Sequence, residues 1–445
     1  MRGWLLLLAG TAATFAAEPT ADELPPGAKM SYLDNGMIRV GVDLNHGGAI
    51  VYLAPKGGRN LINNYDLGRQ VQMSFYSGPV PYTEKGQSPS DHWKGLGWNP
   101  IQTGDDFKNP SKVIAHENDG QKLHVACIPM QWPLNNVPGE CTFDTWLELE
   151  NTWVKVRSRL TNARSDRTFY KARQQELPAV YANAAFFRVV SYVGTKPFTG
   201  EAITEQPKSK TKHPWVHWQA TEHWSALLDA ADEGLGLITP FRVDHTGGFA
   251  GQPGANLSRA NATGYLAGQG QEILDHDIRY DYDYELVVGN LRTIRARAQE
   301  VAATRHPPLP RWNFASDRQG WFYADKGTDA GWPIRGELDL RPDGKTPFRA
   351  LSPLTVWQAE QAPRLTIEAA FSGTAPGSTI VLTKHPLNTA GADLHVPFPI
   401  QADGQMRRYT VSLDKPGYEG AFNRVTLLLN PQTTGARVKS IELTK

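Results

Sequence analysis

The chain has 445 residues, with 46 basic and 45 acidic side chains and a net charge of +1. That balance gives no electrostatic footprint for nucleic acid or an anionic membrane, so neither is expected as a partner. The length predicts about two to three domains. With 41 Gly, 32 Pro and 13 Trp and almost no long helical periodicity, the fold class expected is all-β.

Residues 1–17 read as a signal peptide. Arg2 supplies the positive start, Trp4 to Ala9 begin an apolar run, and small residues lead to a cut near Ala16 or Ala17. The run is too short for a stable membrane span, no Cys sits at the cut, and no later stretch approaches spanning length. The expected location is secreted or periplasmic, without membrane insertion.

Alternation of apolar and polar residues marks half-buried strands at Ile38–Asp43, Leu123–Cys127 and Val154–Leu160, separated by turn signals such as Asp34-Asn35-Gly36 and Asn118-Asp119-Gly120. Further strands are expected at Ala226–Leu228, Leu235–Ile238 and Tyr282–Val288, and a helix at about Thr293 to Ala303, where Ile294, Ala298 and Val301 share a side. Cys127 and Cys141 lie on strand-like segments around a loop. They read either as a hairpin disulfide of an exported protein or as two buried free thiols.

Three segments concentrate aromatic, amide and acidic side chains. Between Ser88 and Phe107 stand His92, Trp93, Trp98, Asn99, Gln102, Asp105 and Asp106, among glycines and prolines that form no core strand. Sugar rings stack on indoles, and their hydroxyls pair with amides and carboxylates. The plainer alternative is a surface loop whose tryptophans plug a β-sandwich. The second segment, Tyr170 to Tyr181, sets Glu176 beside Arg173, Gln175 and Tyr181, company that can hold a carboxyl and tune it for acid or base work. Leu177 and Pro178 are expected to end the strand at a cleft. The alternative is a Glu tied to Arg173. The third, His213 to Trp224, carries Trp218 and Trp224 as a possible stacking platform, His217 and His223 six apart on one strand face, and Glu222 as a second carboxyl. Its alternative is a Trp-rich core strand. Tyr265 is expected to line the cleft, while Asp275 and Asp277 read as turn acids. No metal site and no cofactor are expected.

The run Arg305 to Pro310 is rich in proline and reads as a stiff linker, assigned to residues 304–311. It divides a unit over residues 28–303 from a second β-rich unit over 312–445.

The N-terminal stretch with Gly47-Gly48, Asn60-Leu61-Ile62 and Gly68-Arg69 resembles the opening of galactose-mutarotase-like proteins. The resemblance implies a large two-sheet β-supersandwich whose concave face binds sugars. The histidine pair and late Glu of mutarotase chemistry have no matching set here, which argues against simple epimerisation. The start of the second unit, Trp312 to Asp329, resembles carbohydrate-binding modules and implies a jelly-roll-like β-sandwich. There Asp317 and Asp325 are candidates for a structural calcium, or simply solvated loop acids.

On these grounds the chain is expected to act on a poly- or oligosaccharide, as a glycoside hydrolase. Glu176 is the leading acid/base, and Asp105 or Glu222 its partner. His92, Trp93, Trp98, Asn99, Gln102, Arg173, Gln175, Tyr181, Trp218, His223, Trp224 and Tyr265 are expected to hold the sugar. Two alternatives stay open. One is a polysaccharide lyase using Tyr181 or His92 as base with Arg173 and Asn99 on a uronate carboxyl. The other is a non-catalytic glycan-binding protein.

Overall fold

A computed structural model describes residues 19–20, 22–76, 86–95, 99–211, 213–255, 257–305, 309–324, 326–386 and 393–445. The proposed signal peptide, Trp98 and Asp325 lie outside them.

The all-β expectation holds. The described residues build four antiparallel sheets, two from each unit. In the first unit a ten-stranded sheet runs in the order Met30–Asp34, Ile38–Asp43, Ile50–Pro55, Val71–Tyr76, Arg173–Asn183, Thr263–Glu272, Asp244–Ala250, Trp215–Gln219. Pro100–Gln102 pairs with Val71–Tyr76 and carries Met130–Gln131 on its other side. A nine-stranded sheet packs against it, centred on Arg279–Asn290, Trp153–Asn162 and Cys141–Glu150. The alternation read from the sequence supplies the filling. Val40, Phe75, Leu147, Val156, Leu177, Leu266 and Leu286 point between the sheets and are almost fully buried. Ile38–Asp43 departs from the half-buried expectation, since every residue in it is buried. The Tyr32 ring lies over Gly41, where a Cβ would collide with it.

The helix spans Leu291–Arg305. Asn290 caps it by accepting the Thr293 N–H at 3.0 Å. Ile294, Ala298 and Val301 face the far side of the nine-stranded sheet, against Val190, Trp224, Leu228 and Val287. The approach is close enough that a side chain at Gly236 would strike Ile294.

The second unit stacks two six-stranded sheets around Phe314, Trp321, Phe348, Phe371 and Phe422. Its strand Ala421–Leu429 is nearly continuously buried, as its apolar run predicts. The two units share packing. Ile273 of the first joins the core of the second, and Trp332 of the second packs on the core of the first. Arg318 reaches back to Asp275 at 2.6 and 3.2 Å while also holding Asp329. Asp275, whose carbonyl accepts the Ile278 N–H across a turn, is therefore also an anchor between the units.

Candidate functional site

The ten-stranded sheet has one face on the sandwich core and one facing away. Strand periodicity decides which side chains go where. On Thr263–Glu272, Leu266 goes to the core, so Tyr265, Ala267 and Gln269 point outward. Direct partners across antiparallel strands share a face, which sets the rows of the outer surface. One row runs Ser74, Glu176, Gln269. The next runs Gln72, Ala179, Ala267, Thr246, His217. A third runs Tyr181, Tyr265, Gly248, Trp215. The register of Asp244–Ala250 carries Asp244 alongside Gln269 at the end of the first row, where both line a small shared cavity, and Asp244 pairs in turn with Gln219.

Glu176 and Tyr181 are five residues apart, a spacing that would put them on opposite faces of a regular strand. A β-bulge between Glu176 and Ala179 absorbs the odd residue. Leu177 and Pro178, expected to end the strand, form this bulge inside Arg173–Asn183. Both Glu176 and Tyr181 then project to the outer face.

Aromatic rings make a small apolar floor beside the acid. Tyr181 and Tyr265 lie 4.6 Å apart by centroid, Tyr265 and Trp215 4.7 Å, and His213 stands edge-on to Trp215 at 6.2 Å. Gly248 separates Tyr265 from Trp215 in the register. A Cβ there would meet the Pro214 carbonyl and the Trp215 ring, so the missing side chain lets the indole lean over to the phenol. Amides flank the floor. Gln269 accepts from Gln174 and lies 3.2 Å from the His217 ring nitrogen, and Gln102 donates to Ser74 at 3.1 Å.

Burial raises the pKa of Glu176, and the nearby hydroxyls of Tyr265 and Ser74 offset only part of that effect. The phenols of Tyr181 and Tyr265 are held well above their ordinary value, first by burial and then by the Glu176 charge. Asp244 is also raised by burial, against the opposing charges of Arg424, His217 and Arg242. The Tyr265 hydroxyl is directed at Glu176, while Gln102 Oε1 is buried and makes no hydrogen bond among the described residues. An unpartnered buried polar atom is costly, and a water or hydroxyl admitted beside Gln102 would satisfy it. The outer face can thus stack a flat ring, hydrogen-bond hydroxyls and exchange a proton at one carboxyl.

Glu176, Tyr181, Tyr265 and Gln102 come together on this face. Arg173 stands at its rim, its guanidinium 5.0 Å from the Tyr76 ring centre. The other expected residues serve the frame. Asp105 is a loop hub. Its carboxylate accepts the backbone N–H groups of Phe107, Asn109 and Asn136 and the Asn109 amide, at 2.7–2.9 Å. Glu222 is buried and accepts two bonds from Arg295, one from the Trp224 indole and one from the Phe198 N–H. It pins the helix to the sandwich, and none of its capacity faces the outer surface. Neither acid is available as the partner of Glu176.

Trp224 is fully buried under the helix. Trp218 lies in the sandwich core, because its odd offset from Trp215 and His217 turns it inward. His223 is past the end of Trp215–Gln219, in a turn at φ +60° against Phe198, so it does not share a strand face with His217. Gln175 accepts the Tyr76 N–H at 2.7 Å and splices two strands. Asn99 donates to Gln131. Trp93 donates to Asp106 and meets Trp132 edge-on, with His92 against it, which builds a loop beside the sheet rather than a wall of the acid site. Cys127 and Cys141 are free and buried. Burial pushes the Cys127 thiol up to about 12 and raises Cys141 further. Among the described residues no three His, Cys, Asp or Glu side chains converge on a metal-sized site.

Ser74, Gln269, Asp244 and Trp215 had not been singled out for the acid site. Counting in twos from Tyr265 reaches Gln269, and counting back in twos from His217 reaches Trp215. Ser74 and Asp244 arrive only through pairing between distant strands, which leaves no local signal.

No protein-family model matches the chain, and no curated protein matches it by sequence. The solved structures that match include galactose mutarotase-like proteins and carbohydrate-binding modules. A galactose mutarotase-like protein from Lactobacillus casei is 12% identical, covering 58% of this chain and all of its own, with a TM-score of 0.37. A galactose mutarotase-related enzyme from Lactobacillus acidophilus is 11% identical over 58% of this chain and 97% of its own, at 0.36. A family 11 carbohydrate-binding module of a Clostridium thermocellum cellulase is 10% identical over 31% of this chain and 94% of its own, at 0.23.

Proposed function

We propose that the chain is a carbohydrate-active enzyme, a glycoside hydrolase, whose outer sheet face binds sugar and whose Glu176 protonates the glycosidic oxygen. The observation that carries this reading is a carboxyl with its pKa raised by burial, set beside an aromatic floor on the outer sheet face. A general acid must keep its proton to higher pH than a solvated Glu, and burial supplies that. Asp244 takes the place of Asp105 and Glu222 as the second carboxyl. It stands two strands from Glu176, across Gln269, so the two backbones are about 9.6 Å apart at normal strand spacing. Lyase chemistry is disfavoured because Tyr181 and Tyr265, the phenols beside the acid, are held far from ionisation. The leader-like N-terminus supports action outside the cytoplasm.

Glu176→Gln is the test, read against a broad panel of glycans. Turnover should fall by roughly 10²–10⁴-fold while sugar affinity is kept. The rate of the native protein should decline on the alkaline side as Glu176 loses its proton and on the acid side as Asp244 gains one. Wild-type rates in Glu176→Gln would remove Glu176 from the mechanism. Retention of sugars without any cleavage would favour a binding protein, and products absorbing in the ultraviolet would favour a lyase.

A further inference from the structure

The row that holds Glu176 does not end in solvent. It runs Ser74, Glu176, Gln269, Asp244, Gln219, five strands and about 19 Å across at normal strand spacing. At its far end the second unit begins. Asn423 approaches Gln219 at 3.4 Å, and the next residue, Arg424, lines one small cavity together with Asp244, Gln269 and Phe322. That cavity holds about 20 Å³, room for a single water- or hydroxyl-sized group.

Arg424 is built into this junction. Its Nε donates to the Ser352 carbonyl at 3.2 Å, and its guanidinium stands 5.5 Å from the centre of the Phe322 ring. Asp244 and Asp393 are near enough for their charge to act on it. Arg424 is half-buried, so its remaining guanidinium donors stay open to water or to a ligand at the edge of this cavity. A sugar hydroxyl in that cavity can accept from the arginine in place of water.

Resting on the reading of Glu176 as the acid of a sugar site, we infer that the ligand is a chain of sugars lying across the strands, gripped at one end by Arg424 of the second unit. A monosaccharide bound at Glu176, Tyr181 and Tyr265 would not reach the junction two strands away. A longer chain would extend past Gln269 and place a hydroxyl in the junction cavity beside Arg424. The second unit then acts as part of the binding surface rather than as a separate module, and Arg424 selects for length.

The test measures affinity by titration calorimetry in the Glu176→Gln protein, so that no ligand is consumed. The probes are neutral gluco-, manno-, xylo- and galacto-oligosaccharides, from monosaccharide to hexasaccharide. The expected result is at least a tenfold gain in affinity with length, equal to about 1.4 kcal/mol, that is lost when Arg424→Gln is added. Should that variant fail to fold, Phe322→Leu removes the ring beside the guanidinium, keeps an apolar side chain, and should weaken the same gain. Equal affinity for short and long ligands overturns the inference and leaves the Glu176 reading standing. A length gain untouched by Arg424→Gln or Phe322→Leu overturns it as well. If no probe binds, the sugar reading of the face fails and takes this inference with it.

Discussion

Arg318→Ala tests what joins the two units. Arg318 stands between Asp275 and Asp329, all three buried, and Asp329 also accepts the Tyr323 hydroxyl at 2.6 Å and the Gly331 N–H at 2.8 Å. Removing the cation leaves two carboxyl groups in a dry interface without their counter-charge. Breaking a buried pair in this way costs about 3–5 kcal/mol. At about 2–4 °C per kcal/mol for domains of this size, the melting temperature should fall by roughly 6–20 °C. The pH dependence has a definite sign. In the native protein burial pushes the Asp329 pKa up, but Arg318 and the hydrogen bonds outweigh it and hold the carboxyl below its ordinary value. Asp329 therefore stabilises the fold above its unfolded pKa of about 3.9, and that contribution is lost as pH falls through the lower folded value. In Arg318→Ala burial dominates and the folded pKa rises above the unfolded one. Stability is then present below about pH 3.9 and lost as pH rises through the raised value. The gap between the two proteins should be widest near neutrality and narrow toward about pH 4. Scanning calorimetry across that range is the assay. A gap under about 1 kcal/mol, or one that ignores pH, would refute the assignment of Arg318 as the lock between the units.

Glu222→Gln should cost about 3 kcal/mol of stability by stranding Arg295, yet leave sugar affinity per folded molecule unchanged. A selective loss of turnover without loss of stability would instead return Glu222 to the site. Cys127 and Cys141 should resist thiol reagents in the native protein and react only on unfolding, because burial keeps both thiols protonated. Rapid labelling under native conditions would contradict the packing around them.

The strands themselves were legible, because alternation is local and burial follows it. Glu176, Tyr181 and Tyr265 were legible as polar and aromatic positions, and pairing between their strands sets them on one face. Density of interesting residue types misled elsewhere. His213 to Trp224 looks like one functional patch, but strand alternation and a turn send Trp215 and His217 outward, Trp218 into the core, and Glu222 and Trp224 to the helix contact. Asp105 and Glu222 differ from Glu176 in having a full set of N–H donors around their carboxylates, which no local composition reveals. Asp244 and Ser74 enter the site through strands that pair across long stretches of chain, so their roles follow from topology.

The bulge beside Glu176 bears on shape as well as direction. Taking one residue out between Glu176 and Ala179 would give a regular strand in which the acid still faced outward, two steps from Ala179. The supernumerary residue is therefore not needed for aim. What it adds is a bend, placed between the carboxyl and the aromatic floor. A shortened strand would keep every polar group of the face while relaxing that bend.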